Sequence, residues 1–500
     1  MYSLLQLEDR QKLQDAKRPQ FFEDLNLDQI LELATKDWGE GVLHQFYAFP
    51  TDFAEETYRR EIYGDVKTEE VFSALLRFQS SMRAFREFGE RRDRAQVEDQ
   101  KRAWYLREAF AYVTAIEDLK ADLEKAAPKS KGMQGLLQYL SECVAKKEYA
   151  DFCAEVKALW AELSGFRVLL TYEKERFTIA EGKGVGAYEQ FLTECFPKHD
   201  HRFRSPFLGS EECSDLEEEI LKLFQKKHKE FFGRLEAFFK KQFAYVQEGI
   251  MDLLTEMGYY LSFAQFQRKM EARGYAFCTP SVKDEKDKKI SAKALYDLAL
   301  AILCSENDKE IVSNEAYLAP DERFFVLTGP NQGGKTTYAR SLGQLIYFAK
   351  MGLDVPAQFA EVPYYRNLWT HFSVEESAET GRGKLMDELV RLKPMMEKGQ
   401  TDCFLVINEL FTTAANYDAN VMGKRVLEYF IGGRCEGIYV THLGELSKAC
   451  EGVVSLRACV DERQVQTYVI KRSEALEIAF ANRQVEKYGL TYQQLKERFS

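Results

Sequence analysis

The stretch Phe324–Arg340, "FFVLTGPNQGGKTTYAR", constrains the fold of this chain more than any other. A short apolar run leads into a glycine-rich loop that closes on a lysine and two threonines. Gly329-Pro330-Asn331-Gln332-Gly333-Gly334-Lys335-Thr336 satisfies GxxxxGK[ST], and it stands where that motif works, after a strand and before a helix. Glycines let backbone N–H groups turn inward around phosphate oxygens without Cβ clashes. The helix that follows adds its positive N-terminal end. Lys335 is expected to reach the β- and γ-phosphates of ATP, and the Thr336 hydroxyl to ligate Mg²⁺, with Thr337 beside it. A chance match to eight residues is the bland alternative, and the strand context argues against it.

Five hundred residues exceed what one hydrophobic core organises, so two or three domains are expected. Up to about residue 165 the pattern is helical, with apolar positions three and four apart in stretches such as "TEEVFSALLRFQSSMRAFREF". "GFRVLLTYEKERFTIAEG" reads as a small β-hairpin near residues 166–185. One long helix, about seven turns, is expected from Asp215 to Phe243, either packed along a bundle or acting as a lever. The proline and charge run of "CTPSVKDEKDKKISAK" read as a solvated connection, which places a domain boundary near residue 285. Beyond it the pattern turns α/β, with strands expected at Phe324–Leu327, Cys403–Ile407 and Ile438–Val440. A hairpin of "VVSLRACV" and "VQTYVIKR" and a last helix pair close the chain. The expected fold is therefore multidomain: a mainly α-helical region over 1–285, then an α/β P-loop domain over 286–500.

A second chemical signal lies in "DCFLVINELFTTAANYDA", where an apolar strand ends in Asn408-Glu409. P-loop ATPases usually place an aspartate for Mg²⁺ and then a glutamate for the attacking water at this point. Here the second carboxylate is kept and the first is an amide. An amide oxygen can still hold Mg²⁺ or its water but adds no charge, so slow turnover is expected. The bland reading of Glu409 is an ordinary residue at a strand end. His442, taken alone, reads as a buried, hydrogen-bonded core histidine, and His371 is open between packing and function.

The formal charge of −11 argues against wholesale coating by nucleic acid and leaves room for a local basic face. Candidates are Arg91–Arg94, Lys101–Trp104 and Lys226–Lys229, each of which also reads as a solvated helix face. Ten cysteines without a CxxC pair suit free thiols in a reducing compartment. With no secretory signal and no bilayer-spanning apolar run, a cytoplasmic protein without membrane contact is expected.

These motifs resemble one family. "TGPNQGGKTT" is similar to the phosphate loop of the mismatch-repair ATPases of the MutS family, where TGPN-x-GGKST is typical. "GLDVPA" at Gly352–Ala357 matches the segment after that family's first ATPase helix. "NELFTTAANYDA" aligns with its DEIGRGTSTYDG block, retaining Glu409, Tyr417 and Asp418, and "YVTHLGEL" aligns with FATHYxEL. "TYRREIYGDV" resembles, more loosely, a YRQ-x-x-x-x-DL segment of the helical core. The resemblance is specific over about residues 315–450 and looser over about 50–280.

It implies a homodimeric ATPase of the ABC-like type, with each ATP held between one subunit's P-loop and the signature helix of the other. In this reading Glu409 polarises the attacking water, Asn408 and Thr336 support Mg²⁺, and His442 is the switch histidine. The family signature reads STFMxEM; here Gly383-Lys384-Leu385-Met386-Asp387-Glu388-Leu389 stands in its place. Backbone N–H groups and the Lys384 ammonium are then expected to complete the partner's site. With Asn408 and "THFSVEE" (370–376), the replacements resemble a short, divergent branch of the family. About 300 residues precede the ATPase part, so the mismatch-recognition domain with its Phe-x-Glu wedge is expected to be missing, as is a nuclease domain after it. Phe88-Gly89-Glu90 fits the wedge tripeptide but stands in a charged helical run. The expected function is an ATP-dependent clamp on branched or otherwise non-B DNA, in mismatch repair or recombination. The competing expectation is a nucleotide-gated dimerising interaction protein with little hydrolysis and no DNA. A metabolic P-loop kinase would leave the histidine and signature segments without a role. Whether residues 166–212 form a clamp tip is open at this level.

Overall fold

The structure, a computed structural model, describes residues 2–7, 16–166, 168–173, 176–181, 215–241, 243–247, 249–284, 290–307, 309–372, 383–398, 401–463 and 465–473. Of the expected features, the last helix pair, most of 166–212 and residues 373–376 of "THFSVEE" lie outside them. The chain is mainly helical with mixed α/β sheets and divides into two units. One comprises Met1–Tyr2, Thr68–Lys129 and Met133–Leu254; the other comprises Ser3–Lys67, Ser130–Gly132 and Thr255–Ser500.

The first unit is built on two long helices, Glu69–Arg94 and Glu98–Ala126. Each carries an apolar stripe at helical spacing: Val71, Phe72, Leu75, Phe78, Met82 and Phe85 on one, Leu106, Tyr112, Val113, Ile116, Leu119 and Leu123 on the other. Burial of these stripes is the main stabilising term, at about 25 cal/mol per Å² removed from water. Helices Lys131–Ala145 and Lys147–Gly165 follow. The hairpin forms where the alternation places it, with β1 (Val168–Glu173) antiparallel to β2 (Arg176–Glu181). The expected single helix from Asp215 is two, Asp215–Lys227 and Lys229–Lys241, interrupted at His228. The backbone bonds His228 N–H to Phe224 O (3.0 Å) and Phe232 N–H to His228 O (3.2 Å) persist across the break. The periodicity that suggested one helix is therefore real, and the interruption is one residue wide. Phe88 sits inside the first long helix and stacks on Trp104 at 5.9 Å, so the ring of this Phe-x-Glu tripeptide is engaged within the helical layer.

The second unit holds two sheets. β3 (Ser281–Lys283), β7 (Phe359–Pro363), β4 (Ile290–Leu295) and β5 (Asn314–Leu318) form a four-stranded sheet in that order. The six-stranded sheet runs β12 (Gln466–Arg472), β11 (Val453–Val460), β6 (Phe324–Thr328), β10 (Glu436–Val440), β9 (Cys403–Asn408), β8 (Asn367–Phe372). From β11 to β8 its strands are parallel, and only the edge strand β12 is antiparallel. Strands β6, β9 and β10 are buried at every residue, the mark of a parallel sheet covered on both faces. Among the described residues, no helix is long and apolar enough to cross a membrane.

The boundary expected near residue 285 falls inside this unit. Flanking segments of "CTPSVKDEKDKKISAK" pair as β3 and β4 on either side of β7, so the charge run joins two strands of one sheet. The charge run did not mark a domain edge. Residues 3–67, expected with the helical region, belong with the α/β part instead. The reason is the helix Lys335–Lys350, buried along nearly its whole length and on every face. A helix buried on every face needs partners beyond one sheet, and residues 21–46 supply them. Phe22 meets Tyr347 edge-on at 5.4 Å. Arg340 Nε donates to Asp24 O (2.9 Å) and the Tyr347 hydroxyl donates to Phe46 O (2.7 Å). The buried Gln344 amide donates to Leu25 O (3.0 Å) and Asp297 Oδ1 (3.0 Å) and accepts from Leu298 N–H (2.8 Å). A buried amide satisfied on both sides fixes the register of what it joins.

Candidate functional site

Three neighbouring parallel strands end level with one another. Val440 of β10 pairs with Leu327 of β6 on one side and with Asn408 of β9 on the other. The segments leaving these ends are the glycine loop, Glu409 and Thr441-His442, so residues scattered over more than 100 positions converge at one edge. The carboxyl ends of parallel strands are where α/β sheets place ligands.

The loop after β6 depends on its glycines. Gly329 has φ +137°, and a Cβ there would come 2.9 Å from the Ala458 Cβ. Gly334 caps the following helix with φ +84°. Gln332 is also left-handed, at φ 61°. Lys335 is nearly buried and folded back on its own loop, donating to Gly329 O and Pro330 O, each at 3.0 Å. Burial lowers its pKa, and the charge of Glu409 counteracts part of that. The Thr336 hydroxyl donates to the Asn408 amide oxygen at 3.2 Å.

Glu409 follows β9 with φ 57°, a left-handed conformation that L side chains rarely adopt. Its N–H bonds Val440 O at 2.9 Å. Its carboxylate Oε1 lies 2.9 Å from His442 Nε2, so the ring donates from Nε2. That hydrogen bond is the main reason the Glu409 pKa is lowered, against the opposing effect of partial burial. At neutral pH the group is a carboxylate held in one orientation, able to accept a hydrogen bond from water. His442 is half-exposed and paired, which is not the buried core histidine of the bland reading.

Beside these groups opens a cavity of about 690 Å³. Asn331, Gln332, Gly334, Lys335, Thr336, Thr337, Glu409 and His442 line it. So do residues the sequence did not single out: Tyr296, Leu300, Ile311, Val312 and Tyr468, together with the charged Asp297, Lys309 and Glu310. A volume of this size with a mixed polar and apolar lining suits a small polar ligand with an apolar part. Apolar lining residues carry no sequence signal of their own. Asn314 ties the lining to β12, donating from Nδ2 to Tyr468 O (3.1 Å) and accepting at Oδ1 from Ile470 N–H (2.7 Å).

Comparison with known proteins gives this geometry a context. Residues 325–495 match the family model of MutS domain V. Over this segment, and more loosely beyond it, the chain is similar to the MutS family. It is 24% identical over 209 residues to the DNA mismatch repair protein MutS of Fervidobacterium nodosum, covering 42% of this chain and 24% of that protein. To the MutS of Staphylococcus haemolyticus it is 22% identical over 379 residues, 70% of this chain and 40% of the other. Human DNA mismatch repair protein Msh3 is 26% identical over 167 residues, 33% of this chain and 14% of that one. The chain thus matches less than half the length of these relatives, at low identity, which is consistent with a divergent branch.

The segment that resembles the MutS signature opens the helix Lys384–Lys398. Gly383 is exposed and is not among the residues lining the cavity, and the Lys384 side chain lies outside the described residues. Glu388, on the same helix, is buried and accepts a hydrogen bond from Phe411 N–H at 3.1 Å. Phe411 is itself left-handed at φ 63°, so this contact fastens the turn that carries Glu409. His371, on β8, is buried with neither ring nitrogen hydrogen-bonded among the described residues, and burial pushes its pKa down to about 4. It is neutral packing in this arrangement.

Proposed function

We propose that this chain is a slow ATPase of the MutS type that works as an ATP-dependent dimeric clamp on DNA, without base-specific mismatch reading. The observation that carries the reading is the joint presence, at three level strand ends, of the Lys335 loop, the Thr336–Asn408 contact and the His442–Glu409 pair. Gly329, Pro330, Asn331, Gln332, Gly333, Gly334, Lys335, Thr336 and Thr337 would hold the phosphates. Thr336 and Asn408 are the oxygen donors suited to Mg²⁺, a hard cation that takes such ligands. Bound Mg²⁺ would neutralise charge on the phosphates during transfer. Lys335 exchanges its two carbonyl partners for phosphate oxygens, Glu409 accepts a hydrogen bond from the attacking water, and His442 holds that carboxylate in place. Gly383 and Lys384 would complete the site of a second copy. DNA as substrate rests on the relatives, which are named as DNA mismatch repair proteins.

The test is ATP hydrolysis by the purified protein with Mg²⁺, alone and with duplex, single-stranded and four-way-junction DNA, using Lys335→Ala as control. Hydrolysis altered by one DNA form and lost in Lys335→Ala is the expected result. Tight ATP binding with no turnover and no response to DNA would sink it. That outcome would favour the second reading, a nucleotide-gated dimerising interaction protein, for which the uncharged Asn408 beside Thr336 is the specific support. Asn408→Asp separates the two. A sharp rise in turnover with unchanged ATP-dependent dimerisation marks a site tuned to be slow.

A further inference from the structure

The cations of the helix pair Glu69–Arg94 and Glu98–Ala126 come in two kinds. Most are neutralised. Arg92 bonds Asp93 at 2.9 Å and Glu108 at 2.5 Å, Arg94 lies 3.8 Å from Glu90, and Lys101 lies 3.0 Å from Glu98. Arg102 reaches Asp99 at 2.7 Å and Glu236 at 3.4 Å. Arg91 and Arg107 differ. Neither side chain has an ion pair or a hydrogen bond among the described residues, and each is held instead against aromatic rings. The Arg91 guanidinium lies 5.3 Å from the Trp104 ring centre. That of Arg107 lies 4.7 Å from Phe88 and 5.5 Å from Trp104. The two rings stack on each other at 5.9 Å.

A ring face fixes a guanidinium plane but takes none of its N–H donors, which stay directed outward at the edges. The two charges also repel each other across the rings. The ring contacts, about 0.5–1 kcal/mol each at exposed sites, hold the two guanidiniums close together against that repulsion, and an anion between them would relieve it. Packing alone would be served as well by an apolar residue, or by an arginine with a carboxylate partner as at Arg92. Arg83 and Arg86, exposed on the same helix, likewise lack ion pairs among the described residues. In a chain of net charge −11, attraction to a polyanion has to be concentrated where cations are not cancelled.

We propose that Arg91 and Arg107, held in place by Phe88 and Trp104, are a docking point for the phosphate backbone of duplex DNA. The inference rests on the reading of DNA as this protein's substrate and adds the surface that holds it. Guanidinium edges suit phosphate because the fork can donate two parallel hydrogen bonds to its oxygens. Contacts of this kind carry no base preference, so the point would set position on DNA and not sequence.

The experiment measures binding of a labelled duplex by anisotropy across a salt series, for the full-length protein and for Arg91→Gln/Arg107→Gln. Loss of two phosphate contacts should reduce the slope of log affinity against log salt by about 1.8, and affinity at low salt by roughly 10–100-fold. ATP hydrolysis without DNA should not change. Arg91→Lys/Arg107→Lys keeps both charges, and should restore most of the salt slope while recovering only part of the affinity. A thermal melt of each variant checks that the helices remain folded. Trp104, one of four tryptophans, reports independently: duplex addition should change tryptophan emission, and Trp104→Phe should remove most of that change. Equal slopes and affinities for the unsubstituted and glutamine proteins overturn this docking point and leave the DNA reading intact. Absence of DNA binding by the unsubstituted protein at low salt overturns both.

Discussion

The turns after β6 and β9 solve the same geometric problem with opposite residues. Each carries the chain away from a buried strand through left-handed backbone. After β6 the positions are mainly glycine, Gly329 at φ +137° and Gly334 at φ +84°. After β9 they are Glu409 at φ 57° and Phe411 at φ 63°. In the proposed function the backbone of the first turn is the binding surface, so side chains there would be obstacles. In the second a side chain would be the working group, so a glycine there would relieve strain and remove that group. The strain at Glu409, of order 1–2 kcal/mol, is held by neighbours: Val440 O on its N–H, His442 on its carboxylate, and Glu388 on the N–H of Phe411. A loop made of glycine needs no such support. That difference predicts how each turn breaks.

The largest effect is expected at Gly329→Ala. A Cβ 2.9 Å from Ala458 Cβ and a φ of +137° together displace the loop. Affinity for ATP should fall by at least about 100-fold, equivalent to about 3 kcal/mol. Adding Ala458→Gly removes the clash but not the dihedral problem, so titration of the double variant with a fluorescent ATP analogue should show little recovery. Full recovery would mean the contact alone matters.

At the second turn the comparison inverts. Glu409→Gly should lower turnover by on the order of 100-fold or more, a loss of about 3 kcal/mol of barrier lowering. Folded stability should meanwhile hold or rise by up to about 1 kcal/mol as the left-handed strain is relieved. Glu409→Gln should lose turnover without gaining stability. Denaturant melts and steady-state hydrolysis on the pair separate strain from chemistry, and a less stable glycine variant would refute the strain account.

Smaller effects follow for the supports. Glu388→Ala leaves the Phe411 N–H unpaired in a buried place and should destabilise the protein by about 1–3 kcal/mol. Glu388→Gln keeps an accepting oxygen and should lose less, which thermal melts can rank. The smallest effect is in acid. Because the Glu409 pKa is lowered in the folded state, chiefly by His442, its contribution is present above the ordinary carboxylate pKa of 4.5. It disappears as pH falls through the lower folded value. The stability difference between the unsubstituted protein and Glu409→Gln should therefore be visible at neutral pH and vanish in strong acid. It should be small, because the carboxylate is partly exposed.

Much of the candidate site was legible because its chemistry is local. A glycine loop, a lysine and a strand-end carboxylate each signal through neighbours a few residues away. The 168–181 hairpin was legible for the same reason, as period-two alternation around a charged turn. Features that depend on distant partners were not. Helical periodicity in residues 21–46 announces a buried face but not that the face meets Tyr347 and Gln344. The charge run 283–289 announces exposure but not that its flanks pair within one sheet. The arginines at 91 and 107 read as two more charges in a charged run until Phe88 and Trp104 are seen between them.

The sequence by itself determined the glycine loop, the amide at 408, the strands that lead into them and the family they resemble. These follow from turn chemistry, strand periodicity and spacing within one segment. Tertiary structure alone decided that residues 3–67 belong with the α/β unit and that Glu409 is held left-handed against His442. It also brought Tyr296, Ile311 and Tyr468 into the cavity lining. The physical reason is one of range. Dihedral preferences act over a few residues, whereas which surfaces meet is settled by burial and hydrogen-bond satisfaction summed over the whole chain.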